Sequence, residues 1–94
     1  MVDIIPATEI ARLLGDPTRV RILRALFDAD EELCVADLAD AVGSSHSATS
    51  HQLAKLESYG IVQCVRHGQK MCYTLQDNAL VSRIKKALII FSVL

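Results

Sequence analysis

The stretch from Gly43 to Leu56 (GSSHSATSHQLAKL) constrains this chain more than any other. Helix punctuation bounds it. Gly43 comes after a short apolar helical pattern and suits the sharp turn that ends a helix. Ser45 is a good N-cap for the next helix. Ala48, Leu53 and Leu56 can then share one helical face, while His46, Ser47, Ser50 and His51 crowd another. This second face is small, polar and almost free of charge repulsion. Hydroxyls and imidazoles on such a face can reach base edges and phosphates when a helix lies in a major groove. Two helices joined by a glycine-containing turn make a helix-turn-helix.

The flanking sequence supplies the remaining elements. Pro6 precedes a short helical pattern with Ile10, Leu13 and Leu14 on one side, ended by Gly15. Asp16-Pro17 is a strong helix start, with Asp as N-cap and Pro in the first turn, where its missing N–H costs nothing. Val20, Leu23, Leu26 and Phe27 form the buried stripe of this second helix, and the acidic run from Asp28 to Glu32 reads as a turn. A third helix covers Val35 to Val42. The polar helix runs over about 45–58, with Gly60 as its stop. Ile61 to Arg66 and Lys70 to Leu75 flank His67-Gly68-Gln69 and predict a β-hairpin, a wing over about 61–75. Asp77 is expected to cap a last helix over about 77–94. There Leu80, Ile84, Ala87, Leu88 and Phe91 recur at helical spacing, and Val81, Ile90 and Leu94 widen the stripe. The order predicts a mainly α fold with a β-hairpin, α-α-α-α-β-β-α, a winged helix-turn-helix.

With 94 residues the chain is expected to form one small domain, 1–94. Hydrophobic residues make up 51% and aromatics 4%, so the core must come from Leu, Ile, Val and Ala. That apolar excess points to an oligomer interface. The predicted surface is a homodimer contact through the first and last helices, built from Ile10, Leu13, Leu80, Ile84, Leu88 and Phe91, with help from Ile4 and Ile5. The apolar end, Ala87 to Leu94, is too short to span a membrane. The first residues lack the basic start and long apolar run of a secretion signal. A cytoplasmic protein is expected, with no membrane partner, whose three cysteines stay reduced unless they have a redox or metal role.

The net charge of −1 does not suggest nucleic acid, but its distribution does. Residues 1–43 carry nine acids and four bases, whereas residues 44–94 carry two acids and six bases. A basic footprint within a near-neutral domain can still bind phosphates. The bland counterpart is two solvated faces with no partner. No phosphate loop, paired-carboxylate motif or Cys/His nucleophile spacing points to an enzyme. His46 and His51 are five residues apart, off the i, i+4 spacing of a helical metal pair.

Several segments, taken in order, resemble the ArsR/SmtB-type bacterial and archaeal transcriptional repressors. They are Gly15-Asp16-Pro17-Thr18-Arg19 with Ile22-Leu23; Glu32-Leu33-Cys34-Val35-Ala36-Asp37-Leu38; Ser45 to Leu53 with Leu56; Gly60-Ile61-Val62; and Arg66-His67-Gly68-Gln69 with Tyr73-Thr74-Leu75 after it. Ser44 departs from the pattern, standing where relatives often have an apolar residue. The resemblance covers nearly the whole chain and implies a homodimeric repressor that binds a double-stranded operator near its own promoter and leaves it on sensing an inducer. It implies DNA contact by His46, Ser47, Ser50 and His51 in the recognition helix. For His51 a hydrogen bond into the neighbouring helix is an equal alternative. At the wing, Arg66, His67, Gln69 and Lys70 are expected on phosphates or in the minor groove.

The inducer is the open part. Relatives bind metal through a cysteine-rich box at the third helix, and soft thiolates select Zn, Cd, Pb or As(III). Here Cys34 and Asp37 keep two positions of that box, but Ala36 stands where a second cysteine often sits. Two ligands do not close a tetrahedral site. A second family site, between the last helices, keeps only Asp77, with Ala79, Ile90 and Val93 at its other positions. Cys64 and Cys72 on the hairpin face each other in one register and opposite faces in the next. Opposed, they could bind a thiophilic ion or oxidise; otherwise they are small half-buried hydrophobes. The expectation is therefore a DNA-binding repressor, released by a thiophilic metal ion or thiol oxidation at Cys34, Asp37, Cys64 or Cys72. The alternatives are a repressor with no such sensor and a winged-helix module for protein–protein association.

Overall fold

The computed structural model describes residues 5–93, with side chains described through Phe91. Ile4 and Leu94, both named for the apolar surface, lie outside the described residues. The elements run in the order α1 (Ala7–Leu13), α2 (Pro17–Ala29), β1 (Leu33–Cys34), α3 (Val35–Val42), α4 (His46–Ser58), β2 (Val62–His67), β3 (Lys70–Leu75) and α5 (Ala79–Val93).

Local chemistry sets most boundaries. The Asp16 side chain accepts from the backbone N–H groups of Thr18 and Arg19, and Pro17 occupies the first turn of α2. Helix α2 runs one residue past Asp28 and ends at Asp30 in the left-handed region (φ 53°), so the acidic turn begins later than expected. Gly43 closes α3 at φ 67°, where a side chain would be strained, and the N–H of Ser44 returns to the carbonyl of Ala39 at 3.1 Å. Ser45 Oγ accepts from the N–H of Ala48 at 3.0 Å and starts α4.

Two expectations are corrected. Asp77 does not cap α5: Asn78 does, its Oδ1 accepting from the N–H of Val81 at 3.0 Å. The Asn78 amide also donates to the carbonyl of Gly60 at 2.9 Å, tying α5 to the α4–β2 corner. The wing is not a bare hairpin either. The two-residue strand β1 pairs antiparallel with β3, giving a sheet of order β1-β3-β2. Gly68, at φ 63°, opens the two-residue turn closed by the His67–Lys70 pair.

One core joins the helices to the sheet. Ile22, Leu23 and Leu26 of α2, Leu38 of α3, Leu53 and Leu56 of α4, Tyr73 of β3 and Ile84 of α5 are all nearly or completely buried together. Burial pushes the Tyr73 phenol above its ordinary pKa, with the neighbouring Cys64 thiol adding to the shift. The inward stripe of α4 is Thr49, Leu53 and Leu56, while Ala48 is exposed. At about 100° per residue, Ala48 lies about 140° from Leu53 and Thr49 only about 40°. Thr49 therefore takes the core position expected of Ala48. Its Oγ1 is buried without a hydrogen-bond partner among the described residues.

The apolar surface is also corrected. Leu13 and Ile84 are 0% exposed and Leu88 is 6% exposed inside this chain's own core, so they have no surface to offer a second copy. Ile10 and Leu80 remain half-buried. Phe91 is exposed, together with Ile89 and Ile90.

Candidate nucleic-acid interface

The first turns of α4 are held in place by a polar junction between three helices. Gln52 Nε2 donates to Asp16 Oδ2 at 2.7 Å, and Arg19 Nε donates to Gln52 Oε1 at 3.2 Å. The same guanidinium donates to the carbonyls of Arg12 and Leu13, which end α1. The N–H of Arg19 is the main reason the Asp16 carboxyl sits below the usual carboxylate range. Burial opposes that shift, while the Gln52 amide, the Thr18 N–H and the Arg19 charge support it. In the sequence Asp16 is legible as a cap. The roles of Gln52 and Arg19 are not, because their partners lie 36 and 33 residues away, respectively.

Other arginines are occupied within the fold. Arg21 donates to the carbonyl of Val42 at the end of α3. Arg12 donates to the Tyr59 hydroxyl at 2.9 Å, with its guanidinium 5.1 Å from the Tyr59 ring centre. At the far end of α4, the Glu57 carboxylate accepts from the N–H of Cys64, an outward-facing donor of the edge strand β2. Helix α4 is thus fixed to α2 at one end and to the wing at the other.

On this scaffold His46, Ser47 and His51 are exposed and Ser50 is half-buried. His46 and Ser50 line one groove with Gln69 and Lys70 of the wing and Ala36 and Asp37 of α3; its volume is about 250 Å³. Four of the eight residues expected to touch DNA therefore share one concave surface. Ser47, His51 and Arg66 are exposed outside the lining of that groove. His67 behaves differently: its Nε2 contacts Glu32 Oε1, so its ring is turned towards the α2–β1 loop.

The cysteines also fall differently from expectation. Cys64 faces Tyr73 in the register, and Cys72 faces Val65, so Cys64 and Cys72 are not opposed. On its other side Cys72 faces Cys34 of β1, and these two form a disulfide. Cys64 is the one free cysteine, because β1 carries Cys34 to β3; the pairing is thus Cys34 with Cys72 and not Cys64 with Cys72. Asp37 is exposed in the first turn of α3. Among the described residues, the donors that converge closely enough for a metal ion are Glu32, His67 and Cys72. Neither Asp37 nor Asp77 belongs to that group.

Comparison with known proteins agrees with this geometry. The family model described as bacterial regulatory protein, arsR family, matches residues 16–63, just over half of the chain. The chain is 45% identical over 74 residues to a transcriptional repressor SmtB homolog from Synechocystis, covering 79% of this chain and 54% of the relative. The chain spans between 52% and 64% of the length of curated relatives such as this one. Among solved structures, the antimony-specific repressor AntR superposes with a TM-score of 0.74 at 31% identity, covering 97% of this chain and 86% of that one. A homodimeric winged helix-turn-helix DNA-binding domain from Mycobacterium bovis matches with a TM-score of 0.67 at 25% identity, over 89% of this chain and 72% of that one. With the family match over the helix-turn-helix and the same winged fold on both sides of the comparison, this chain belongs to the ArsR family of bacterial regulatory proteins.

Proposed function

We propose that this chain is a sequence-specific DNA-binding transcriptional repressor that meets a two-fold-symmetric operator as a homodimer. The observation that carries the reading is the groove shared by His46 and Ser50 of α4 with Gln69 and Lys70 of the wing. A convex duplex offers base edges to the first pair and backbone phosphates to the second. Ser47 and His51 extend the base-reading face, and Arg66 adds positive charge beside the groove. The whole of 1–94 acts as one winged helix-turn-helix unit in this reading.

The homodimer is supported by the exposed Ile89, Ile90 and Phe91 on α5 and by an apolar hollow of about 460 Å³ beside them. Ala7, Ile10 and Ala11 of α1 and Leu14 just after it line that hollow with Ala87 and Phe91. A second copy would cover both helices and set two recognition helices about one DNA turn, ~34 Å, apart. Among the described residues no helix is long and apolar enough to cross a membrane. A regulator of this kind works on the chromosome, so the cytoplasm is its proposed compartment, and it is not an enzyme.

The test is a titration of the chain against DNA from upstream of its own gene, repeated over a salt series and against unrelated DNA of equal length. Tight, salt-dependent binding confined to the upstream fragment is expected. Equal affinity for both fragments, or none for either, would sink the reading and favour a protein–protein association module.

A further inference from the structure

Three consecutive residues end α4 and lead into the wing, and each is held by a different part of the molecule. The Tyr59 hydroxyl, just past α4, accepts from Arg12 Nη1 of α1 at 2.9 Å, and the same guanidinium lies 5.1 Å from the ring centre. Gly60, at φ 75°, accepts at its carbonyl from the side-chain amide of Asn78, the N-cap of α5, at 2.9 Å. Ile61 is completely buried. Its N–H donates to the carbonyl of Leu56 at 3.0 Å, and its carbonyl accepts from the N–H of Gln76 at 2.9 Å. The first two grips come from α1 and α5, the same two helices that line the apolar hollow.

Arg12 is held in its aim. Its Nη2 donates to Glu9 Oε1, one turn back on α1, at 2.7 Å. At ~100° per residue, Arg12 lies about 100–160° round α1 from Ala7, Ile10 and Ala11. One side of this short helix therefore lines the hollow while another grips the end of α4. The end of α1 is tied in as well: Arg19 donates through Nη1 to the carbonyls of Arg12 and Leu13, and through Nε to Gln52 Oε1 of α4. A shift of α1 against α2 thus pulls on α4 at two points. From Asn78 to Phe91, α5 is a rod of about 20 Å at ~1.5 Å per residue, with the Gly60 contact at one end and exposed apolar side chains at the other.

We propose that Arg12 and Asn78 are positioning residues for DNA recognition: they carry the placement of the α1–α5 pair to the Tyr59–Gly60 corner, so that dimerisation and operator binding strengthen each other. The inference rests on the homodimer and the operator proposed above. A second copy seated on the hollow fixes α1 against α5. Their two grips then fix the far end of α4, and the first turns of the same helix meet the duplex. The effect is reciprocal, because whatever the operator gains from the dimer, the dimer gains from the operator. Neither residue lines the groove of His46, Ser50, Gln69 and Lys70. The Arg12 side chain is 54% exposed, so a coupling of about fivefold, at the low end for linked sites, is expected.

Arg12→Gln tests the coupling and leaves the α5 cap intact. The first measurement, on the full chain without DNA, is amide hydrogen exchange in the dimer and in the diluted monomer. In the parent, dimerisation should slow exchange at Gly60 and Ile61 by about fivefold, and in Arg12→Gln by less than about twofold. Equal slowing in both proteins would overturn the proposal. So would loss of the dimer in Arg12→Gln, which would make Arg12 an interface residue. A parent that sediments as monomer at every concentration overturns it together with the homodimer reading. The second measurement is DNA affinity. Arg12→Gln should weaken the operator about fivefold, with the affinity for unrelated DNA, the salt slope and the melting temperature those of the parent. Arg12→Lys, which keeps a cation at the ring, should restore part of the loss. Tyr59→Ala should match Arg12→Gln, and the double variant should be no worse than either. Equal losses on both DNAs would make Arg12 a phosphate contact, and unchanged operator affinity would remove the coupling. A parent that does not discriminate the operator sinks the operator reading alone, because the exchange measurement decides the clasp without DNA.

Discussion

The first turns of α4 and the last turns of α5 are both helical surfaces that this chain leaves uncovered, and their chemistry is opposite. On α4 the uncovered side chains are His46, Ser47 and His51, beside half-buried Ser50. On α5 they are Ile89, Ile90 and Phe91, each more than half exposed. Water satisfies the first set well, so a partner must offer hydrogen bonds and charge at least as good as those of water. Water is a poor neighbour for the second set, and any complementary apolar surface improves on it. One small fold therefore carries two kinds of incompleteness, one polar and one apolar, which the proposed function assigns to DNA and to a second copy.

The sharpest way to separate the two surfaces is to damage one and measure the other. Ile90→Asp combined with Phe91→Asp should weaken dimerisation by about 3–6 kcal/mol, from ~1.5–3 kcal/mol per large apolar side chain. Sedimentation at micromolar concentration should then show monomer; a persistent dimer would place the interface elsewhere. Ser47→Glu combined with Ser50→Glu should cost operator affinity about 2–6 kcal/mol, from ~1–3 kcal/mol per base contact. The dimer and the melting curve should hardly change, and normal operator binding would remove α4 from the interface.

Asp16→Ala acts on the junction behind α4 and should destabilise the fold by about 0.5–2 kcal/mol, the usual range for an N-cap. The Asp16 carboxyl sits below its unfolded value, so its stabilising effect is complete above about pH 4 and is lost as pH falls through the folded pKa. Acid titration of the variant should show a shallower loss of stability than that of the parent; parallel curves would remove Asp16 from the acid response. The smallest effect belongs to the wing. Lys70→Ala should lower the slope of log affinity against log salt by about 0.9, one phosphate contact, for any DNA sequence. A changed base preference instead would make Lys70 a base reader.

Much of the fold is legible along the chain. Asp16-Pro17, Gly43 and Ser45 act within a few residues of themselves, and each sits where local backbone chemistry requires it. The hairpin is announced by the β-branched run Ile61 to Arg66 and the turn at Gly68. The points of disagreement depend on small angular or positional differences. Ala48 and Thr49 are neighbours, yet only Thr49 lies on the stripe of Leu53 and Leu56. Asp77 and Asn78 are both good caps, and the contact of Asn78 with Gly60 favours the second. On α5 the apolar residues run nearly all the way round, so periodicity does not divide core from surface. Packing does, placing Ile84 and Leu88 inside and leaving Ile90 and Phe91 out.

By itself the sequence determined the order of elements, helix α4 and its polar face, because caps, turns and helical periodicity are short-range. Only the tertiary structure decided the sheet order, the junction of Asp16, Arg19 and Gln52, and the meeting of Glu32, Cys34, His67 and Cys72. Strand β1 has two residues, too few for any alternating pattern to announce it. Its existence rests on hydrogen bonds to a strand nearly forty residues away, and the pairing of Cys34 with Cys72 is a consequence of that register.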